Sequence, residues 1–203
     1  MPEKAIFHPT YFPSIEQYAL MVKHKDITFE VNDNFQKQTY RNRCYILGAN
    51  GKQLLNVPIS KKSGKQKTKD ILVNYSENWQ KEHLKSLISA YKSSPFFEFY
   101  IDDLMPIFTK KEQYLIDLNT TVFSLLNEAI QVNIPYELSK EYLADTKNDF
   151  RYLVNAKKET LVKMPKYVQV FSDKYDFIPN LSILDLLFNE GPNTEMYLNS
   201  LRF

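Results

Sequence analysis

The sequence predicts an α/β fold, in which an N-terminal mixed sheet is begun by a strand–loop–helix–strand unit and a largely helical C-terminal part packs on it. The first observation is a pair of short apolar runs, at residues 4–7 and 26–31, on either side of a segment with helical spacing. The second is the dipeptide Asn50-Gly51, which joins two further apolar runs as a β-hairpin. The third is the change to helical spacing after residue 76.

The opening unit predicts a ligand site at the end of a strand. Residues 4–7 form a short apolar strand followed by a proline-bracketed loop. Ser14 then has the position of a helix N-cap, and Gln17 three residues later completes the pattern of a capping box. Residues 26–31 return as a strand, which predicts a parallel crossover. Ligands of open α/β sheets bind at the carboxyl ends of such strands.

The later elements follow from the same patterns. Residues 139–166 are polar and weakly patterned, which predicts a loop with at most one short strand. Further strands are expected at residues 44–47, 54–59, 70–75 and 167–171. Helices are expected from Trp79 to a break at Ser94-Pro95, over residues 114–129, and between a Ser182 cap and Gly191, with a short final helix starting at Pro192.

The change of pattern near residue 76 divides the chain into two parts. Residues 1–75 are expected to form the α/β part, and residues 76–203 the mainly helical part. No linker composition marks the boundary, and 203 residues fit one large domain, so we expect the two parts to pack into one compact unit.

Composition excludes several classes of function. Only four glycines are present, and neither GxGxxG nor GxxxxGK[ST] occurs, which argues against a Gly-rich phosphate loop. A formal net charge of +2 gives no reason to expect nucleic acid as a partner. Cys44 is the only cysteine, and the three histidines lack ligand spacing, so neither a disulfide nor a metal site is expected. The sequence indicates no particular cofactor or oligomeric state.

Hydrophobicity predicts a cytoplasmic protein. No apolar run has the length of a membrane span, and the first residues lack the apolar core of a secretory signal. We therefore expect no transmembrane segment and a location in the cytoplasm.

The loop after the first strand contains the first candidate residues, His8 and Tyr11. Both lie between a strand end and a helix N-terminus, a place that favours anions, so they are candidates to contact a phosphate or carboxylate and to act in catalysis. The alternative is a rigid proline-rich loop in which the two side chains only bond the backbone.

A polar segment at residues 37–43 contains the second group. Three cations separated by amides suit an anionic, phosphate-bearing small molecule. If residues 39–45 are extended, Arg41 and Arg43 point to one face and Asn42 to the other. The alternative is a charged edge strand. The candidate binding residues are Lys37, Gln38, Arg41, Asn42 and Arg43.

Two helices of the later chain supply the remaining candidates. Trp79 and His83 are four residues apart on one helix face, and Tyr91 follows, so aromatic rings could stack on a base or sugar; core packing is the alternative. Asp185 and Asn189, also four apart, predict a polar face whose carboxylate could act as a base or hold a substrate amine. It could equally be a surface residue.

Several stretches together resemble the WbqC-like protein family. They are HPTYFPSIEQY, NFQKQTYRNRCYI followed by NG and LLNVPI, NWQKEHLKSLISAYKSSPFFEFY, and FIPNLSILDLLFNEGP. The chain departs from many relatives, which have Gln in place of His8 and Trp-Leu-Gly at residues 14–16. The matching positions are Tyr11, Pro13, Lys37, Gln38, Arg41, Asn42, Arg43, Trp79, His83, Tyr91, Asp185 and Asn189.

The resemblance implies an enzyme of surface-polysaccharide metabolism. The family takes its name from a gene of O-antigen clusters, where it is associated with attaching an amino acid or acyl group to an amino sugar. This implies a transferase that acts on an amino-sugar, nucleotide-sugar or aminoacyl substrate. The competing hypothesis is a binding module without chemistry, because no nucleophile, metal or cofactor motif is recognisable. Such a module would expose its aromatic cluster as a surface patch.

Overall fold

The computed structural model describes residues 4–60, 64–144, 147–160 and 162–203, and it confirms the α/β fold class. An N-terminal part contains four of the strands, and a helical part follows it. The strands are β1 (Ala5–Phe7), β2 (Ile27–Phe29), β3 (Arg43–Gly48), β4 (Gly51–Asn56) and β5 (Tyr136–Leu138); the α-helices are α1 (Ile15–His24), α2 (Trp79–Tyr91), α3 (Phe97–Thr109), α4 (Leu115–Ile130), α5 (Ile183–Glu190) and α6 (Thr194–Ser200).

A three-stranded parallel sheet in the order β1–β2–β5 organises the candidate site. Phe7 pairs with Phe29, and Phe29 with Leu138, so the three strands end at the same level. The polar residues that follow these strands therefore meet at one edge of the sheet. The third strand comes from the later half of the chain, directly after Pro135.

The predicted hairpin forms a separate two-stranded sheet. β3 and β4 pair antiparallel from Arg43–Asn56 to Gly48–Gly51, with the turn at the predicted Asn50-Gly51. Gly51 has a φ of 97°, a conformation that glycine adopts without strain. The parallel and antiparallel pairs of the predicted mixed sheet thus lie in two sheets.

Helix α1 begins directly after the predicted N-cap, Ser14, but the backbone amides of its first turn already have hydrogen-bond acceptors. Ser14 Oγ accepts a hydrogen bond from the Gln17 amide at 3.3 Å, which confirms the N-cap. The Gln17 side chain does not complete a capping box; it donates to the His8 carbonyl at 2.9 Å. The Ile15 amide donates to the Leu181 carbonyl and the Glu16 amide to Asn180. Because these donors have partners, the start of α1 is not a ready anion site.

One hydrophobic core connects the sheet with the helices. Buried side chains of β1, β2 and α1 join those of α2 to α6 in a single cluster. Ser182 caps α5 as predicted, and Gly191 ends it with a φ of 53°. A Cβ at Gly191 would lie 2.5 Å from a ring carbon of Phe96, so only glycine fits there.

Two predicted strands are wrong, and one short strand and the helix α3 were not predicted. Residues 70–75 contain only isolated bridges, after a 3₁₀ helix at Thr68–Asp70. Residues 167–171 have no strand partner, because the polar groups of Tyr167 and Gln169 bond α5 instead. β5 has three residues, too few to show a period in the sequence.

No helix in the described ranges has both the length and the hydrophobicity needed to cross a membrane. Likewise, no group of His, Cys, Asp or Glu among these residues has an arrangement that could hold a metal ion.

Candidate functional site

A polar cavity lies at the carboxyl ends of β1 and β2, and we call it the strand-end pocket. Its volume is about 480 Å³. Three cations, one carboxylate, one imidazole and several amides line it. Two half-exposed tyrosines also line it. The lining residues are His8, Asn32, Asp33, Asn34, Gln36, Arg41, Tyr142, Arg151, Tyr152, Val154, Asn155 and Lys158.

Arg41 is the centre of a buried cluster on the wall of this pocket. Its Nη2 atom donates to His8 Nε2 at 2.6 Å and to Asp33 Oδ2 at 2.7 Å. The other oxygen of Asp33 accepts from the Thr68 hydroxyl at 2.5 Å. Only 1% of Arg41 is exposed, and its buried Nε has no hydrogen-bond partner. A ligand oxygen that reached this guanidinium would therefore meet donors that are not fully used.

Two hydrogen bonds define the state of His8. Its Nδ1 lies 3.1 Å from the Glu30 carbonyl oxygen, which only accepts, so Nδ1 carries the proton and Nε2 accepts from Arg41. Burial, and then the positive charge of Arg41, lower the pKa of His8 to about 3. His8 is thus a neutral acceptor near neutral pH, and its lone pair is already engaged.

Burial also lowers the pKa of Arg41, and the neighbouring Asp33 carboxylate opposes that shift. The guanidinium remains charged, since an arginine that keeps a carboxylate partner does not lose its proton in a protein.

Glu30, fully buried at the end of β2, connects the loops around the pocket. Its carboxylate accepts from the Asn32 amide at 2.7 Å, the Ser139 hydroxyl at 2.9 Å and the Leu143 amide at 2.8 Å. Arg151 Nη1 lies 3.8 Å away. Sequence reasoning missed Glu30, although a glutamate within an apolar run is itself a signal of a paired buried charge.

The other two cations of the pocket, Arg151 and Lys158, differ in whether they have ion-pair partners. Arg151 bonds Asp149 at 2.6 Å and the Leu143 carbonyl at 2.7 Å. The Asp149 pair raises the pKa of Arg151 and lowers that of Asp149. Lys158 is exposed and takes part in none of the ion pairs of the described residues. Lys158 is therefore the cation most available to a ligand, and nothing in the sequence singled it out.

Tyr11 and His83 lie together, but outside the strand-end pocket. Tyr11 Oη is 3.0 Å from His83 Nδ1, and the Trp79 ring centre lies 5.1 Å from that of His83. All three side chains are buried. Burial lowers the pKa of His83 to about 4 and raises that of Tyr11 well above its usual range. These residues form an internal aromatic cluster.

The Asp185 side chain is the centre of a second buried polar cluster, which we call the Asp185 cluster. It accepts from the hydroxyls of Tyr91 at 2.8 Å and Tyr167 at 2.5 Å, and from the Gln169 amide at 2.8 Å. Asn189 donates to the Asp185 carbonyl at 2.7 Å. Burial raises the pKa of Asp185. The polar face of α5 therefore points inward, and Asp185 is not the surface residue that was the alternative.

The segment at residues 37–43 does not act as one unit. Residues 40–42 form a 3₁₀ turn, so the alternation expected for an extended segment does not apply. Lys37 and Gln38 are exposed and do not line the strand-end pocket. Asn42 donates to the Val57 carbonyl at 2.9 Å, and Arg43 begins β3, half-buried. Of the predicted site residues, His8 and Arg41 are the two that line the strand-end pocket.

An α/β protein with a polar cavity at the ends of parallel strands is the class that this geometry defines. The family model described as "WbqC-like protein family" matches residues 8–163, which is more than half of the chain. The chain therefore belongs to the WbqC-like family. Every residue that lines the strand-end pocket falls within the matched range.

Among curated proteins, the chain is similar to "Uncharacterized protein Rv1507c" of Mycobacterium tuberculosis. The two are 26% identical over 231 aligned positions, which cover 100% of both chains. No solved protein structure matches the chain at a significant level.

Proposed function

We propose that this chain is a transferase-type enzyme that acts on an amino-sugar, nucleotide-sugar or aminoacyl substrate in surface-polysaccharide metabolism, in the cytoplasm. One observation carries the proposal: the strand-end pocket places Arg41, Arg151 and Lys158 around a cavity that contains a single lining carboxylate, Asp33. Such a set of cations favours a phosphate- or carboxylate-bearing small molecule. Membership of the WbqC-like family supports the substrate class.

In this proposal Arg41 and Lys158 bind the anionic group of the substrate. Arg41 is held in place by His8 and Asp33, so it offers a pre-oriented guanidinium at little entropic cost. The amides of Asn32 and Asn155 line the same cavity and supply neutral hydrogen bonds.

In this proposal Tyr142 and Tyr152 stack on the ring of the substrate. The sequence had assigned this contact to Trp79 and Tyr91. Both are more than half exposed at 56% and 55%, and both line the strand-end pocket. Trp79 and Tyr91 are buried, so a base or sugar could reach them only after the core opened.

His8 is the proposed proton acceptor of the reaction. Its neutral Nε2 carries the lone pair that would accept the proton of the substrate, and in the structure this lone pair accepts a hydrogen bond from Arg41. The hydrogen bond from Arg41 Nη2 must break before Nε2 can take a proton, whereas the bond between Arg41 and Asp33 keeps the guanidinium oriented.

The test is calorimetric titration of the full chain with nucleotides, nucleotide sugars and amino acids. Any ligand that binds is then titrated into two matched lysine variants. Lys158→Ala should weaken binding of the anionic ligand about fivefold to tenfold, the effect of losing one charge-assisted contact. Lys37→Ala, which removes another exposed lysine that does not line the strand-end pocket, should leave the affinity unchanged. Equal effects of the two variants would contradict the assignment of the site.

A binding module without chemistry is the second candidate, and one observation favours it. His8, Arg41 and Asp33 satisfy one another, and they leave no unengaged base in the cluster. Its expected aromatic surface patch is absent at Trp79 and Tyr91, since both are buried. Incubation of a bound amino-sugar nucleotide with acyl and aminoacyl thioesters, followed by mass spectrometry, separates the two. An amide on the sugar amine with release of the free thiol supports the enzyme, and intact ligand at full occupancy supports the module.

A further inference from the structure

A second cavity of about 310 Å³ adjoins the strand-end pocket, and we call it the Glu16 pocket. Tyr152, Asn155 and Lys158 line both cavities. Because one short segment separates them, a ligand larger than a single sugar ring could contact both. The residues that the argument uses are Glu16, Leu153, Glu159, Val162, Asn180 and Phe203.

The walls of the Glu16 pocket combine an apolar surface with one fixed carboxylate. Leu153, Val162 and Phe203 supply hydrophobic surface. Glu16 is held by a reciprocal pair of hydrogen bonds, because its amide donates to Asn180 Oδ1 at 2.9 Å and its Oε2 accepts from Asn180 Nδ2 at 3.0 Å. A pre-oriented carboxylate in an apolar cavity is the usual partner of an ammonium group.

Charge distinguishes the two cavities. Glu16 takes part in none of the ion pairs found among the described residues, although burial raises the pKa of its carboxyl group. Glu159 is a second carboxylate on the same wall. The strand-end pocket instead contains Arg41 and Arg151. Lys158 lines both cavities, so the two carboxylates give the Glu16 pocket an excess of negative charge, while the two arginines give the strand-end pocket an excess of positive charge.

We infer that the Glu16 pocket binds the amine-bearing, partly apolar end of a ligand whose anionic group lies in the strand-end pocket. This inference rests on the proposed function and narrows its substrate class. The substrate then carries both a phosphate or carboxylate and a free amine, as an amino sugar that is not N-acylated does.

The test compares three probes by calorimetry on the full chain: UDP-glucosamine, UDP-glucose and UDP-N-acetylglucosamine. The wild-type chain should bind UDP-glucosamine about tenfold more tightly than the other two, which is the effect of one charge-assisted hydrogen bond. Glu16→Gln should remove this preference and leave the affinity for UDP-glucose unchanged. The side-chain oxygen of the substituted residue can still accept the hydrogen bond from Asn180 Nδ2, so we expect the local structure to be kept.

Glu195→Gln is the matched control, because it changes an exposed carboxylate in the first turn of another helix that lines neither cavity. It should keep the tenfold preference. If Glu16→Gln does not fold, Val162→Trp replaces it, since this change fills the cavity and should remove the preference for UDP-glucosamine.

The outcomes separate this inference from the proposed function. Equal affinity for the three probes, or a preference that survives both pocket variants, overturns the inference alone. Failure of all three probes to bind overturns the proposed function and the inference together.

Discussion

The cluster around Arg41 and the Asp185 cluster have similar chemistry but different surroundings. Each joins a buried ionisable group to hydrogen-bonding partners: His8 and Asp33 contact Arg41, and Tyr91 and Tyr167 contact Asp185. The Arg41 cluster forms the wall of a cavity, while the Asp185 carboxylate is fully buried among Tyr91, Tyr167 and Gln169. Residue type alone therefore does not mark a functional site. A polar cluster can act on a ligand only where a cavity reaches it.

The largest expected effect is a loss of unfolding free energy when Asp185 is replaced. It distinguishes the two clusters, because this loss should come without a change in ligand affinity. Asp185→Ala leaves the hydroxyls of Tyr91 and Tyr167 without their acceptor, whereas Gln169 keeps the Ile178 carbonyl, so the change should lower the free energy of unfolding by about 4 kcal/mol. Ligand affinity of the folded fraction should stay the same. Urea denaturation measures the first quantity and calorimetry the second. Asp117→Ala, at an exposed position in the first turn of α4, is the control and should cost little.

Arg41→Met should affect both stability and binding. It leaves His8 and the Asp33 carboxylate without their partner, which should cost about 3 kcal/mol in unfolding free energy. The affinity for an anionic ligand should fall about a hundredfold, because a buried, oriented cation is lost. A variant that keeps full affinity would show that the Arg41 cluster, like the Asp185 cluster, is only structural.

The pH dependence of stability sharpens the comparison further. The folded-state pKa of His8 is about 3, below the unfolded value of about 6.5, so its neutral form stabilises the fold. This contribution is complete above about pH 6.5 and is lost as the pH falls towards the folded pKa. At about pH 5 the loss should reach about 2 kcal/mol for this residue.

His8→Gln should remove that part of the pH dependence, as measured by urea denaturation near neutral pH and at about pH 5. His24→Gln is the matched control. His24 is only half-buried, with a pKa that burial and Lys23 lower, so its variant should change the pH dependence less. An unchanged curve in the His8 variant would mean that the imidazole becomes protonated as readily in the folded state as in the unfolded chain.

The smallest expected effect concerns Tyr11. Tyr11→Phe removes the hydrogen bond to His83 and should cost about 1 kcal/mol in unfolding free energy. Binding of the anionic ligand should not change, since Tyr11 does not line the strand-end pocket. A large loss of affinity at full stability would instead return Tyr11 to the catalytic role that the sequence suggested.

Local signals in the sequence predicted much of the fold. The Ser14 cap, the Asn50-Gly51 turn, the helix at Trp79–Tyr91 and the Gly191 stop all appear where the patterns placed them. Each depends on neighbouring residues only, through a cap, a turn or a helical period. The failures at residues 70–75 and 167–171 have the opposite origin, because a strand needs a partner that the local sequence does not name.

The same distinction applies to the candidate site. The sequence by itself determined that a ligand site was to be expected after the first strand, and it selected His8 and Arg41. It could not show that Tyr11, Asp185 and Tyr91 lie inside the core, because their burial depends on helices far along the chain. Only the tertiary structure brought Arg151 beside Glu30, and Arg151 and Lys158 into the strand-end pocket. The physical reason is that β5 and the segment after it pack beside β2, more than a hundred residues away in sequence, and long-range packing of this kind leaves no local period to read.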